Sequence, residues 1–413
     1  MVPPFATVTA TRRAPRPHPA TKVVGWPVRV GIVADYLEEG WPSMDLAAEL
    51  TQLAVERYGE DAFDPRLLRP EMPRVLHGRF RGAGANRPNV DRYLARYVAY
   101  PRWLKPQARD FALFHVIDQS YAHLVHGLRR RPVVVTCHDL DAFRSVIGPE
   151  RGTRPWWFRK TMRRVMEGLR RATHVICDTH SVRDGVVQEV GIRPDRVTVV
   201  HLPVHPDFTP EADPVAEAEA ARFLGPAGAA PELLHVGINV PRKRLGFLLR
   251  LFARLRDRHP GLRLIRVGGK MTLSQLDLCA ELEIPFDSVL ELPFLERPVL
   301  AAVYRRAAGL IATSKREGFG WPVVEAMACG TPVVCSDLPV FREVGGDAAT
   351  YVPIRDLDAW VSAVDDLLYD RRNRRQWSGR REASLHRAEA FSLEAYARGV
   401  MAVYRHVLGM RGE

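Results

Sequence analysis

Short apolar runs alternate with helical stretches twice along this chain, and few folds accommodate that pattern. VRVGIVA (28–34), LFHVI (113–117), PVVVTCHD (132–139), THVICDT (173–179) and VTVVHLP (197–203) are strand-like, with a helix around 44–57 between the first two. ELLHVGIN, LRLIRVGG, SVLELPF, GLIATS and TPVVCS repeat the alternation between residues 232 and 336. Strands joined through helices must run parallel, and a parallel sheet needs cover on both faces. The spacing therefore predicts two doubly wound, Rossmann-like α/β domains. A chain of 413 residues is long enough for two such cores.

The expected domain limits are 25–205 and 232–388, joined by a Pro- and Ala-rich connector at 206–231. Residues 1–24 are rich in Pro, Thr and Arg and read as a disordered tail. FSLEAYARGVMAVYRHVL (391–408) has the apolar spacing of an amphipathic helix and lies in a terminal segment, 389–413, free to pack elsewhere.

No apolar run approaches the roughly 20 residues of a bilayer span, and the first residues lack the apolar core of a signal peptide, so a cytoplasmic location is expected. Five cysteines form no C-x-x-C pair and read as buried, reduced side chains. Residues 1–200 hold 32 Lys and Arg against 21 Asp and Glu, whereas residues 201–413 hold 28 against 27. That field suits an anionic partner: nucleic acid, an anionic membrane surface or a phosphorylated substrate.

The stretch REGFGWPVVEAMACGTPVVC (316–335) raises a sharper question. From Trp321 onward it holds one charged side chain, Glu325, and a buried carboxylate needs a partner or a proton. GLIATS reads as a strand, SKREGFG as a loop, and the helix that follows carries Pro322 at its start, with Gly330 just past its end. A helix N-terminus preceded by Gly318 and Gly320 offers free amides to an anion. Glu325, leaning back toward that end, would face the same pocket and meet a ligand hydroxyl. Alternatively, Glu325 complements the helix dipole and Glu317 is a solvated loop charge.

Glu317 and Glu325, set in EGFGWPVVEAMACGTPVV and followed by FREVGGDAA, closely resemble the donor-site signature of retaining family 4 glycosyltransferases of the GT-B fold. The resemblance implies two Rossmann-like domains facing a central cleft, with the C-terminal helix crossing back onto the first domain. It implies that Glu317 contacts the transferred sugar, that Gly318, Phe319 and Gly320 hold the diphosphate, and that Glu325 holds the ribose. HVGINVPRKRLGFLL looks like the family's strand ending in a glycine, here Gly237, followed by a cationic pair, here Arg242 and Lys243. Ile238 stands where relatives often carry an Arg. His138, in VVVTCHDLDAF, takes the place of a family His beside the donor sugar, and is assigned with Glu317 to the catalytic set.

On the acceptor side the resemblance places Gly40, the remnant of a Gly-Gly loop, together with Asp118 and Tyr121 of HVIDQSYAHLVHGL. The histidines of that run, His115, His123 and His126, fit no compact metal set and are expected at the interdomain cleft. Pro203 replaces a glycine of the family's turn. Asp139-x-Asp141 and Asp356-x-Asp358 spell a pattern that binds metal in another glycosyltransferase fold, but here no metal and no cofactor are expected.

The implied activity is retaining transfer of a hexose, mannose or glucose, from a UDP- or GDP-sugar to a glycan or lipid-linked glycan. Peripheral contact with an anionic membrane at its inner face is expected through the basic first domain, and no nucleic-acid partner. The rival readings are a non-catalytic nucleotide-sugar or glycan-binding protein of the same fold and a dinucleotide-dependent oxidoreductase. The second lacks G-x-G-x-x-G after the first strand.

Overall fold

A computed structural model describes residues 27–59, 62–73, 90–128, 130–147, 154–226, 228 and 230–410. The segment read as a disordered tail lies outside the described residues.

The first sheet is built from β1 (Val28–Val33), β2 (Phe63–Leu68), β3 (Leu113–Val116), β4 (Val133–Cys137), β5 (His174–Cys177) and β6 (Val197–Val199), in the order β2-β1-β3-β4-β5-β6. The second comprises β7 (Glu232–Val236), β8 (Arg263–Val267), β9 (Val289–Leu292), β10 (Gly309–Ala312), β11 (Val333–Ser336) and β12 (Ala349–Val352), ordered β12-β11-β10-β7-β8-β9. Every strand pairing is parallel. β3, β4, β5, β10 and β11 are buried at every position, which is why they read as unbroken apolar runs. β2 and β12 are edge strands with exposed or half-buried positions, and their mixed composition hid them from the sequence pattern.

Three apolar clusters fill the interior. One lies within the first domain and one within the second, but the third is continuous through both, from Val30 and Ala54 through Leu202 and Phe208 to Tyr304, Val323 and Phe391. The helix Leu393–Leu408 explains that continuity. It follows the second domain yet packs on the first: the Tyr396 and Thr51 hydroxyls lie 2.7 Å apart, and the Tyr404 hydroxyl is 2.8 Å from His115 Nδ1. His115 is therefore a core residue, with Thr136 on its other nitrogen, and does not face the cleft as expected. His123 and His126 bond separate carbonyls, of Arg96 and Arg164.

The segment 206–231 is not a simple connector. It contains the helix Pro214–Leu224, capped by Asp213, whose Oδ1 accepts from the Val215 and Ala216 amides. Ala216, Ala220 and Leu224 recur every fourth residue and are buried, and Arg305 of the helix Arg297–Arg306 pairs with Glu217 at 2.8 Å. The Pro- and Ala-rich composition concealed a cap and a helical face that dock on the second domain. The crossing shortens accordingly, and the return crossing runs beside it: the Val204 amide donates to the Phe391 carbonyl. Among the described residues no helix is long and apolar enough to cross a membrane.

Tyr404 tests the helix anchor. Tyr404→Ala should lower unfolding free energy by about 3–5 kcal/mol in urea titration, through the lost ring and the orphaned His115 nitrogen. Tyr404→Phe should cost only about 1 kcal/mol. A small loss in the alanine variant would mean that this helix adds little to the first domain.

Candidate active site

The loop after β10 leads into the helix Trp321–Ala328 through Gly320, whose φ of 96° is left-handed and whose missing β-carbon makes room for the Phe341 ring. Glu325 is the fifth residue of that helix, past the first turn, and is buried, so dipole complementation does not explain it. Its partner is a phenol: the Tyr304 hydroxyl donates to Oε2 at 2.7 Å. Burial raises the Glu325 pKa to about 7, although the Tyr304 hydrogen bond and the positive charges of Lys243 and Arg297 pull the other way. The carboxyl is thus poised between its two states at neutral pH.

Glu317 behaves differently because its surroundings are charged. Its side chain is 7% exposed, yet Oε2 accepts from Arg242 at 2.6 Å, while Oε1 lies 2.6 Å from Lys243 Nζ and accepts from the Ser314 hydroxyl at 2.6 Å. Burial alone would raise its pKa, but the two cations and the hydrogen bonds hold it below the usual glutamate value. Glu317 is not a solvated loop charge; it is the centre of an ion cluster.

The cations arrive on the turn Pro241–Lys243, which ends with Arg244 in the left-handed region at φ 55°. Two bonds stitch this turn to the glutamate loop: Thr313 Oγ1 donates to the Lys243 carbonyl at 2.8 Å, and the Lys315 amide to the Arg242 carbonyl at 2.8 Å. Lys243 lies over Gly237 at the end of β7, where a β-carbon would sit 3.1 Å from Lys243 Cε. Ile238, next in the chain, is partly exposed.

The first domain supplies the opposite wall. His138 follows β4, and its ring is held at both nitrogens, by Asp178 Oδ2 at 2.6 Å and by the Ile117 carbonyl at 2.8 Å. Burial opposes the imidazolium, but the Asp178 carboxylate outweighs it and raises the His138 pKa to about 9. Folding stability from this pair is complete below the unfolded histidine value and is lost as pH rises through about 9. The ring is therefore committed within its own domain, while the backbone of His138 meets the other one. A β-carbon on Gly318 would overlap the His138 carbonyl oxygen, and Thr179 Oγ1 donates to the Gly318 carbonyl at 3.3 Å.

These contacts bring His138, Gly318, Arg242, Lys243, Gly237 and Glu317 into one region, and Gly320 leads from it into the helix that carries Glu325. A cleft of about 250 Å3 opens there, bordered by Asp139, Asp141, Arg144, Arg242, Glu317 and Gly318. Of the other predicted site residues, Phe319 and Tyr121 are packed into the apolar interior. The Phe319 ring is buried against Phe391 at 5.8 Å between centroids. Tyr121 is in the first-domain core beneath Arg96, whose guanidinium stands 4.0 Å from the ring centroid. Asp118 caps the 3-10 helix Gln119–Gly127, and Gly40 ends a turn after β1. Asp139 accepts from the Asp141 amide, Asp141 pairs with Arg144, Asp356 caps a helix and Asp358 pairs with Arg254. Among the described residues no group of three or more His, Cys, Asp or Glu could hold a metal ion.

Sequence reasoning passed over Tyr304, Ser314, Asp178 and Glu343. Glu343, within FREVGGDAA, accepts from the His180 amide at 2.9 Å and lies 2.7 Å from His201 Nε2, joining the domains. For Asp178 a signal existed, since it follows β5 as His138 follows β4; Tyr304 gave none, being one apolar position of a helix.

Lys243 is itself buried beside the Glu317 carboxylate, so its removal costs more than that of an exposed loop cation. Lys243→Ala should destabilise the fold by on the order of 3 kcal/mol, and adding Glu317→Gln should recover part of the loss, because the second change removes the stranded charge. Chemical denaturation of both variants decides it, and additive losses would dissolve the cluster.

The profile of the family described as Glycosyltransferase Family 4 matches residues 45–208, and that of Glycosyl transferases group 1 matches residues 217–382. The O-antigen chain mannosyltransferase RfbU of Salmonella typhimurium is 27% identical over 59% of this chain and 63% of its own. The D-inositol 3-phosphate glycosyltransferase of Mycobacteroides abscessus is 32% identical over 66% of this chain and 60% of its own. The matches thus span somewhat under two thirds of these relatives. Among solved structures, sucrose-phosphate synthase from Thermosynechococcus elongatus superposes with a TM-score of 0.73 at 17% identity, covering 92% of this chain and 99% of that one. Anabaena HepE in complex with UDP-glucose gives 0.68 at 15% identity, over 92% and 99%. Such distant likeness speaks for the fold alone, but the two profiles follow one another along the chain: it belongs to the family 4-like glycosyltransferases of the GT-B fold.

Proposed function

We propose that the chain is a retaining hexosyltransferase that moves mannose or glucose from a UDP- or GDP-sugar to a glycan or lipid-linked glycan. The observation that carries this reading is the convergence of Arg242 and Lys243 on Glu317, where Lys243 and Glu317 share a small cavity with Gly320 and Pro322 at the start of the helix Trp321–Ala328, and Arg242 borders a cleft between two domains. When the bond between the anomeric carbon and the diphosphate breaks, negative charge grows on the leaving oxygen. Fixed cations and helix amides stabilise that charge without reorganising. The acceptor hydroxyl attacks from the same face and gives its proton to the departing phosphate. Glu317 holds the cations in place, and Glu325 takes the ribose hydroxyls. The mannosyltransferase name of one relative and the UDP-glucose bound in HepE support a hexose on a nucleoside diphosphate.

A panel of sugar nucleotides in thermal-shift measurements, followed by a transfer assay on the ligand that binds, tests the reading. Because protein cations neutralise the leaving group, transfer should continue in a chelator. Binding without turnover on any glycan acceptor would favour the non-catalytic alternative.

The poised carboxyl of Glu325 gives a pH signature. Only the ionised form accepts from both ribose hydroxyls, so affinity for a sugar nucleotide should tighten as pH rises through about 7. Glu325→Gln should flatten that profile in calorimetric titrations and weaken binding at high pH by roughly 1.5–3 kcal/mol. A profile that keeps its slope in the variant would remove Glu325 from the ribose site.

A further inference from the structure

The helix Trp156–Arg171 presents a basic and aromatic outer face. Its inner stripe, Met162, Val165, Met166 and Leu169, is buried, whereas Trp156 is 70% and Trp157 42% exposed. Six of its residues are Lys or Arg and one, Glu167, is acidic. Arg163, Arg164, Arg170 and Arg171 border an open hollow of about 710 Å3 beside Glu167.

The apolar exposure continues onto neighbouring elements. Tyr93 joins the face through its hydroxyl, 2.9 Å from Thr161 Oγ1, and through its ring, 6.3 Å from that of Trp157. The preceding residue, Arg92, pairs with Glu39 at 3.1 Å in the turn after β1, which displays Leu37 and Trp41. That turn leaves the same end of the first sheet as His138, the end that meets the cleft.

We propose that this face docks on an anionic lipid bilayer, with the indoles seated at the headgroup level and the arginines on lipid phosphates. Indole and leucine side chains beside a cationic helix face match the two halves of a membrane interface. A nucleic acid would use the arginines and the rings but gains nothing from Leu37. The basic balance of the first half of the chain supplies the long-range attraction. Docking would set the acceptor wall of the cleft against the lipid surface, so the inference extends the sugar-transfer reading, yet it is tested without turnover.

The experiment is sedimentation of the full chain with vesicles of phosphatidylcholine alone and of phosphatidylcholine mixed with phosphatidylglycerol. Binding is expected only to the mixture and should weaken as salt rises. Trp156→Ser with Trp157→Ser, and separately Arg163→Gln with Arg164→Gln, should each reduce partitioning roughly tenfold. Thermal unfolding of both pairs should be unchanged, since the four side chains are exposed. No binding to the anionic vesicles, or wild-type binding by the tryptophan pair, overturns the proposal. So does capture of a DNA or RNA oligonucleotide by a protein that ignores vesicles, which would assign the face to nucleic acid.

Discussion

A carboxylate removed from water destabilises a fold unless something replaces the water, and at Glu317 that replacement organises the surroundings. Arg242, Lys243 and Ser314 all turn inward to it. For Lys243 to reach it, the chain after β7 must make a tight turn over Gly237, and the turn must be tied to the loop after β10. The glutamate thus brings two cations beside a helix N-terminus that would otherwise repel them. The same charge that stabilises the turn in the folded chain leaves a cationic wall on the cleft.

Glu325 lies eight residues on and shows how local surroundings divide two identical side chains. It has a phenol instead of a lysine as its nearest partner, so burial dominates and its proton is held to about pH 7. Glu317, with cations in contact, keeps its charge. The pair therefore offers one anion that holds cations and one titratable carboxyl bonded to a phenol.

The position of this wall opposite the first domain depends on packing far from it. The helix Leu393–Leu408 and the two adjacent crossings carry one apolar cluster through both domains. With the sheets so joined, the loop at Gly318 comes against the His138 carbonyl, an approach that no side chain would permit. Glu343 adds a charged contact to His180 and His201 across the same boundary. His138, assigned with Glu317 to the catalytic set, has its ring bonded to Asp178 and the Ile117 carbonyl, while its own carbonyl meets the second domain at Gly318.

The sequence by itself determined the two doubly wound domains, the central strands, the terminal amphipathic helix and the strand-loop-helix around Glu317 and Glu325. Those features arise from contiguous residues, where apolar runs, glycines and an N-terminal proline act over a few positions. The edge strands β2 and β12 and the helix Pro214–Leu224 were missed because their burial is partial and their composition mixed. Only the tertiary structure decided the partners of the buried charges. Tyr304 meets Glu325, Asp178 meets His138 and the cationic turn closes on Glu317, joining residues 21, 40 and more than 70 positions apart. A buried ionisable group takes its state from whichever groups surround it in space, and strand order, not chain order, selects those groups.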